Sequence, residues 1–121
     1  MRDEGSEGMN LTTDHNDGVA IVRVGETRLM YPLLSEFADA VTTLIKDGQQ
    51  KMLIDLSPVV YVDSASIGCL MDLYKQTAAA GGTLKLSGIQ KRVETMLTMT
   101  GAQQFIEVHA DEQGALDTFR G

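Results

Sequence analysis

Tyr61-Val62-Asp63-Ser64-Ala65-Ser66-Ile67-Gly68 is the stretch on which the fold turns. Upstream of it, Met52 to Leu56 is a nearly unbroken apolar run, as expected of a strand buried on both faces. Downstream, Ile67, Leu70, Met71, Tyr74 and Ala78 recur at helical spacing, with Asp72, Lys75 and Gln76 on the opposite face. A strand therefore ends and an amphipathic helix begins here. Asp63 is the N-cap candidate, which places Ser64, Ala65 and Ser66 at the first three helical positions. Val62 and Ile67 stand at the spacing of a hydrophobic staple. The Ser64 hydroxyl is then predicted to lie beside backbone N–H groups without intrahelical partners, at the positive end of the helix dipole. Such a position suits a phosphate.

Working outward, the same alternation of strand and helix continues in both directions. Asn10 to Asp14 and Val19 to Val24 read as two strands, and Asn16-Asp17-Gly18 between them is a strong hairpin signal. Pro32 suits the first turn of a helix whose apolar face is Leu34, Phe37, Val41, Leu44 and Ile45, with Gly48 as its stop. After Met52 to Leu56, Ser57-Pro58 interrupts the strand and Val59 to Val62 resumes it. Gly81-Gly82 ends the second helix, and Thr83 to Ser87 is the next strand. A third helix is predicted over 90–100, carrying Val93, Met96 and Leu97 inward and closed by Gly101. Phe105 to Val108 reads as a last strand, and Asp111 as the cap of a terminal helix bearing Ala115, Leu116 and Phe119. Repeated strand–helix units require right-handed crossovers and a mostly parallel sheet. The expected fold is a single α/β domain with a mixed, mostly parallel sheet, an N-terminal hairpin and about four helices. Residues 1–9, rich in Gly, Ser and acid, are expected to form a flexible tail, and residues 10–121 the domain.

Composition narrows the chemistry. The chain has 121 residues, 43% hydrophobic, which fits one compact domain. No run is long enough for a membrane span, and no apolar signal region opens the chain, so a cytoplasmic protein is expected. The net charge of −7 argues against nucleic acid and anionic membrane surfaces as partners. Cys69 has no second cysteine to bridge to and is read as a packed thiol. His15 and His109 make no metal-ligand spacing, so neither a metal nor another cofactor is implied.

Enzyme motifs fail one after another at Ser64. The local order Val-Asp-Ser-Ala-Ser is not a Gly-x-Ser-x-Gly elbow, and no Gly-Lys-Ser/Thr follows a glycine-rich loop. A Ser/His/Asp triad would need His15 or His109, which fall in predicted turns or strand ends. Asp55 and Asp63 are explained more cheaply as a strand-end carboxylate and a cap than as an acid/base pair. Met71, Met96 and Met99 read as core packing. On spacing alone, Ser64 is a serine that starts a helix, as serines often do.

The order Asp55-Leu56-Ser57, then Val62-Asp63-Ser64-Ala65-Ser66-Ile67-Gly68, a helix, Gly81-Gly82, a strand and Met99-Thr100-Gly101 resembles the STAS family over roughly residues 10 to 120. It is most similar to the stand-alone bacterial anti-sigma factor antagonists. Their signature, Asp-Ser-Ser/Thr-Gly-Leu-Gly at the start of the second helix, has its phosphoacceptor at the first serine. The resemblance thus implies Ser64 as phosphoacceptor and Asp63, Ala65, Ser66 and Gly68 as partner-binding residues. Ala65 stands in place of a hydroxyl residue, Ser66 in place of a glycine, and Gly25-Glu26-Thr27-Arg28 where Gly-Glu-Leu-Asp is frequent. The implied partners are an anti-sigma factor that is also a serine kinase, and a PP2C-type phosphatase that resets the switch. Two readings from other classes remain open. One is a STAS subunit of an ABC-type lipid-transport complex, with Ser64 unmodified. The other is a small serine hydrolase using Ser64.

Overall fold

The computed structural model describes residues 9–120. Most of the expected tail lies outside the described residues. Met9, assigned to that tail, is instead buried in the core, and its backbone N–H donates to the Glu36 carboxylate at 3.1 Å. Strands β1 (Leu11–Asn16) and β2 (Val19–Val24) form the expected antiparallel hairpin. Its two-residue turn puts Asp17 at φ 57° and Gly18 at φ 84°, both left-handed, which matches the strand twist of tight hairpins. There follow β3 (Arg28–Leu29), α1 (Tyr31–Lys46), β4 (Lys51–Asp55), β5 (Tyr61–Val62), α2 (Ser64–Ala79) and β6 (Thr83–Ser87). Helix α3 (Lys91–Thr100), a 3₁₀ turn (Ala102–Gln104), β7 (Glu107–His109) and α4 (Glu112–Arg120) complete the described chain.

The main sheet has the order β1-β2-β4-β6-β7, and every pair except β1–β2 is parallel. Its central strands are buried on both faces, and alternate residues feed two cores. Ala20, Val22, Val24, Met52, Ile54, Leu84 and Leu86 pack with Phe37, Val41, Ile67, Leu70, Leu73, Val93 and Leu97 from α1, α2 and α3. Val19, Ile21 and Leu53 point the other way, to Ala115, Leu116 and Phe119 of α4. Arg23 secures α4 by donating to Glu112 at 2.9 Å and to Asp14 at 3.2 Å. No helix among the described residues is long and apolar enough to cross a membrane.

Four expectations need correction. The strand over Val59–Val62 reduces to Tyr61–Val62, because Val60 N–H and Tyr61 N–H turn to Thr27 O and build a separate two-stranded sheet, β3–β5. The last strand begins at Glu107, since Ala102–Gln104 first makes a 3₁₀ turn that leaves Phe105 58% exposed. Met99 is 76% exposed, outside any core, while Met71 and Met96 are only half-buried. On α2 the buried stripe is Ser66, Ile67, Leu70, Leu73 and Thr77, and Ala78 faces solvent. Thr77 is tolerated there because its hydroxyl donates to Leu73 O at 2.8 Å. Cys69 is half-buried, and that burial pushes its thiol pKa up.

The entry to β6 depends on backbone proximity. A Cβ on Gly82 would meet Gln50 O at 2.4 Å and Gln50 Cα at 2.8 Å, and neither is a flexible side-chain end. Gly82→Ala must therefore push β4 and β6 apart at their first rung. Urea unfolding should show it destabilised by about 1–3 kcal/mol.

Candidate functional site

The junction between β5 and α2 is built by one carboxylate. Asp63 is extended (φ −106°, ψ 177°) and caps α2, with its Oδ1 accepting from Ser66 N at 2.8 Å. The Ser66 hydroxyl lies 2.6 Å from the same Oδ1, and Asp63 N donates back to Ser66 Oγ at 3.4 Å, closing a capping box. Oδ2 accepts from Tyr31 N at 3.2 Å, the first residue of α1. The Ser66 hydroxyl also reaches Leu29 O on β3. One capping box thus joins α2 to both β3 and α1. The Ser66 hydroxyl, with the two backbone N–H groups, holds the Asp63 carboxyl below the usual carboxylate range.

That arrangement leaves Ser64 outward. It is the first residue of α2 and exposed, as are Ala65 and Gly68. Ser66 is 0% exposed, so the hydroxyl that the sequence offered as a partner contact is internal, and any effect it has on a partner is indirect. The bonds of Ser66 within the first turn are local, but its bond to Leu29, 37 residues away, carries no local signal.

Beside Ser64 a groove of about 270 Å³ runs between α2 and the end of α3, lined among others by Gly68, Met71, Gly101, Ala102 and Phe105. Its floor is low because glycine and alanine supply much of it. A Cβ added at Gly68 would touch nothing within 4 Å. Glycine inside a helix costs about 1 kcal/mol relative to alanine, and here no packing contact demands it. Phe105, missed as a surface residue by apolar patterning, forms the far rim.

The histidines lie elsewhere. His15 sits beside the β1–β2 turn, paired with Ala20 at the end of the sheet where the parallel strands begin. His109 faces α4, with Nε2 2.6 Å from Glu107 Oε2 and 3.5 Å from Thr118 Oγ1. Asp55 accepts from Ser57 N at 2.9 Å and lies 4.0 Å from Arg23, apart from Asp63. Three hydrogen bonds engage the Asp63 carboxylate in the cap. Ser64 has helix N–H groups beside its hydroxyl, and among the described residues no base is hydrogen-bonded to it. Among the described residues, no three His, Cys, Asp or Glu side chains are grouped to hold a metal.

The STAS domain family matches residues 10–115, and the chain belongs to it. It is 30% identical over 63 residues to the anti-sigma-B factor antagonist of Bacillus subtilis, a match spanning 52% of this chain and 58% of that relative. An anti-sigma factor antagonist of Mycobacterium paratuberculosis has the same fold, with a TM-score of 0.85 at 18% identity over 97% of this chain and 98% of the other. So has the phosphorylated form of the Bacillus cell fate determinant SpoIIAA, with a TM-score of 0.71 at 14% identity over 91% and 99%.

The capping box sets a pH dependence. Asp63 has a folded pKa below its ordinary 3.8, so its stabilisation is complete above that value and is lost as pH falls through the folded pKa. In urea unfolding, Asp63→Ala should cost roughly 1 kcal/mol near neutral pH, and the gap to wild type should narrow as pH falls below the ordinary carboxylate value of 3.8 and through the lowered folded pKa. Ser66→Ala strands the buried Leu29 carbonyl and should cost more, on the order of 1–3 kcal/mol near neutral pH.

Proposed function

We propose that this protein is an anti-sigma factor antagonist of the cytoplasm whose partner binding is switched by phosphorylation of Ser64. The observation that carries the reading is the exposed Ser64 hydroxyl at the first position of α2, fixed by the Asp63 cap and lacking any adjacent base. It can accept a phosphate from another protein's active site, and nothing beside it would turn it into a nucleophile of its own. The names of the relatives agree, and the SpoIIAA structure is of a phosphorylated form. The unmodified protein binds an anti-sigma factor and so releases a sigma factor. That anti-sigma factor is a serine kinase which phosphorylates Ser64, and a PP2C-type phosphatase removes the phosphate. Ala65, Gly68 and the adjoining groove supply contact surface, and Asp63 and Ser66 hold it in place.

Charge decides why the phosphate acts on binding more than on folding. A phosphoserine adds about −1.5 to −2 charges near neutral pH. Within the free domain, the helix N-terminus favours an exposed anion by roughly 0.3–1 kcal/mol, and repulsion from Asp63 opposes it. The two nearly cancel. At an interface the phosphate is stripped of water, and an unmatched buried charge costs several kcal/mol. At about 1.4 kcal/mol per tenfold, binding should weaken a hundredfold or more.

Phosphosite mapping after reaction with the cognate kinase should find Ser64 as the main acceptor; modification centred on Ser57 or Ser66 would sink the reading. Titration of the purified anti-sigma factor should give tight binding to Ser64→Ala and weak binding to Ser64→Glu. Gly68→Ala offers an independent check, because stability and binding should move in opposite directions. It should raise stability by up to about 1 kcal/mol, yet weaken the partner by filling the groove floor.

A further inference from the structure

The two edge strands of the main sheet are not alike. On one side β7 has three residues, too few to seat another strand well. On the other, β1 has six, and all but the half-buried Leu11 are exposed. Its sequence, Leu-Thr-Thr-Asp-His-Asn, holds no proline and no lysine, the residues that commonly blunt an edge. Its register with β2 is unbroken from Leu11↔Val24 to Asn16↔Val19, so no bulge turns the strand aside.

The ladder decides which backbone groups point outward. Gly25 N–H donates to Asn10 O at 2.8 Å, which makes Asn10 and Gly25 a hydrogen-bonded pair. Alternation gives Thr12–Arg23, Asp14–Ile21 and Asn16–Val19 the same inward role. Leu11, Thr13 and His15 therefore turn their N–H and C=O groups away from β2. The Asp14 carboxylate already takes the His15 N–H at 2.9 Å. Among the described residues, β1 has β2 as its one strand neighbour, so Leu11 and Thr13 offer their outer groups to no strand.

The charge of this edge differs from that of the chain, whose net charge is −7. Asp14 is paired with Arg23 at 3.2 Å, and Asp17 of the turn with Arg120 at 3.6 Å. A second copy can thus approach without setting bare carboxylates against each other. Thr12, Thr13 and Asn16 offer only short polar side chains, with nothing to select a foreign sequence, whereas a copy of β1 brings its own complement.

We propose that β1 is a self-association edge, pairing antiparallel with β1 of a second copy with Thr13 on the two-fold axis. Thr13 exchanges both backbone bonds with Thr13 of the copy, and Leu11 N–H donates to the copy's His15 O. On one face the two Thr13 side chains lie side by side. On the other, Asp14 stands across from Thr12, a carboxylate against a hydroxyl. Shifting the register by two residues toward the turn would set Asp14 opposite Asp14, and the reverse shift would leave His15 without a partner. Such an axis is perpendicular to the sheet, so the two five-stranded sheets become one, with α1, α2 and α3 of both copies on the same face. Two Ser64 hydroxyls are then presented on one face of one body, whatever binds them.

Sedimentation equilibrium of the purified, unmodified protein tests this. A single short strand makes a small interface, so the mass should rise from 13.1 kDa toward twice that value between about 10 μM and about 1 mM. The rise should come at lower concentration in high salt, which screens the net charge. Thr13→Pro removes only an outward N–H and should stay monomeric with a melt close to wild type. Thr13→Cys, treated with oxidised glutathione, should yield a dimer linked through residue 13, while wild type, with Cys69 as its one thiol, should not. A mass of 13.1 kDa at every concentration would overturn the proposal. So would a dimer that persists at wild-type affinity in Thr13→Pro, or the absence of a residue-13 crosslink in Thr13→Cys.

Discussion

The Asp63 carboxylate is the constraint on which the functional end of this molecule depends. It satisfies the first turn of α2, engages the Ser66 hydroxyl and takes the Tyr31 amide, so three elements meet on two oxygens. A helix start needs partners for its unpaired N–H groups, and a side-chain cap is the local solution. Here that cap also closes long-range contacts to β3 and α1. Its geometric consequence is Ser64. With the cap turned inward, the next residue begins the helix facing water.

The sheet explains why this end can carry charge without disturbing the core. Parallel strands β2, β4 and β6 are buried on both sides and set the position of every helix N-terminus at one edge. Charged groups that stabilise the fold lie on the α4 face: Arg23 with Glu112 and Asp14, and Lys85 with Glu107 at 3.3 Å. Ser64 and its groove lie on the other face, with α2 and α3. Structural ion pairs and Ser64 are thus separated by the sheet. A doubly charged group added at Ser64 meets Asp63 and helix amides, and the ion-paired arginines and lysine among the described residues lie elsewhere.

Much of this was legible in the residues, and the limits have physical causes. Asp63, Ser64 and Ile67 could be read because capping and stapling act over three to five residues, within reach of local pattern. The hairpin was legible because Asp17-Gly18 is a turn that few other dipeptides can make. The full burial of Ser66 was not legible, because its hydroxyl meets Leu29 O, a partner with no sequence proximity. Strands β3 and β5 are two residues each, too short for any period to show. Met99 and Phe105 broke the rule that apolar means internal, and both flank the end of α3 near the groove. Apolar side chains left outside a well-filled core are a better pointer to a docking face than the pattern that assigned them inward.

The most direct measurement is an amide chemical-shift map comparing the unmodified protein with protein phosphorylated on Ser64. Changes confined to Asp63 through Gly68, Tyr31 and the groove rim at Gly101 to Phe105 are expected, with the strands of the main sheet unmoved. Shifts spreading through β2, β4 and β6, or loss of dispersion, would contradict a switch that works by surface charge and show that it works through the fold.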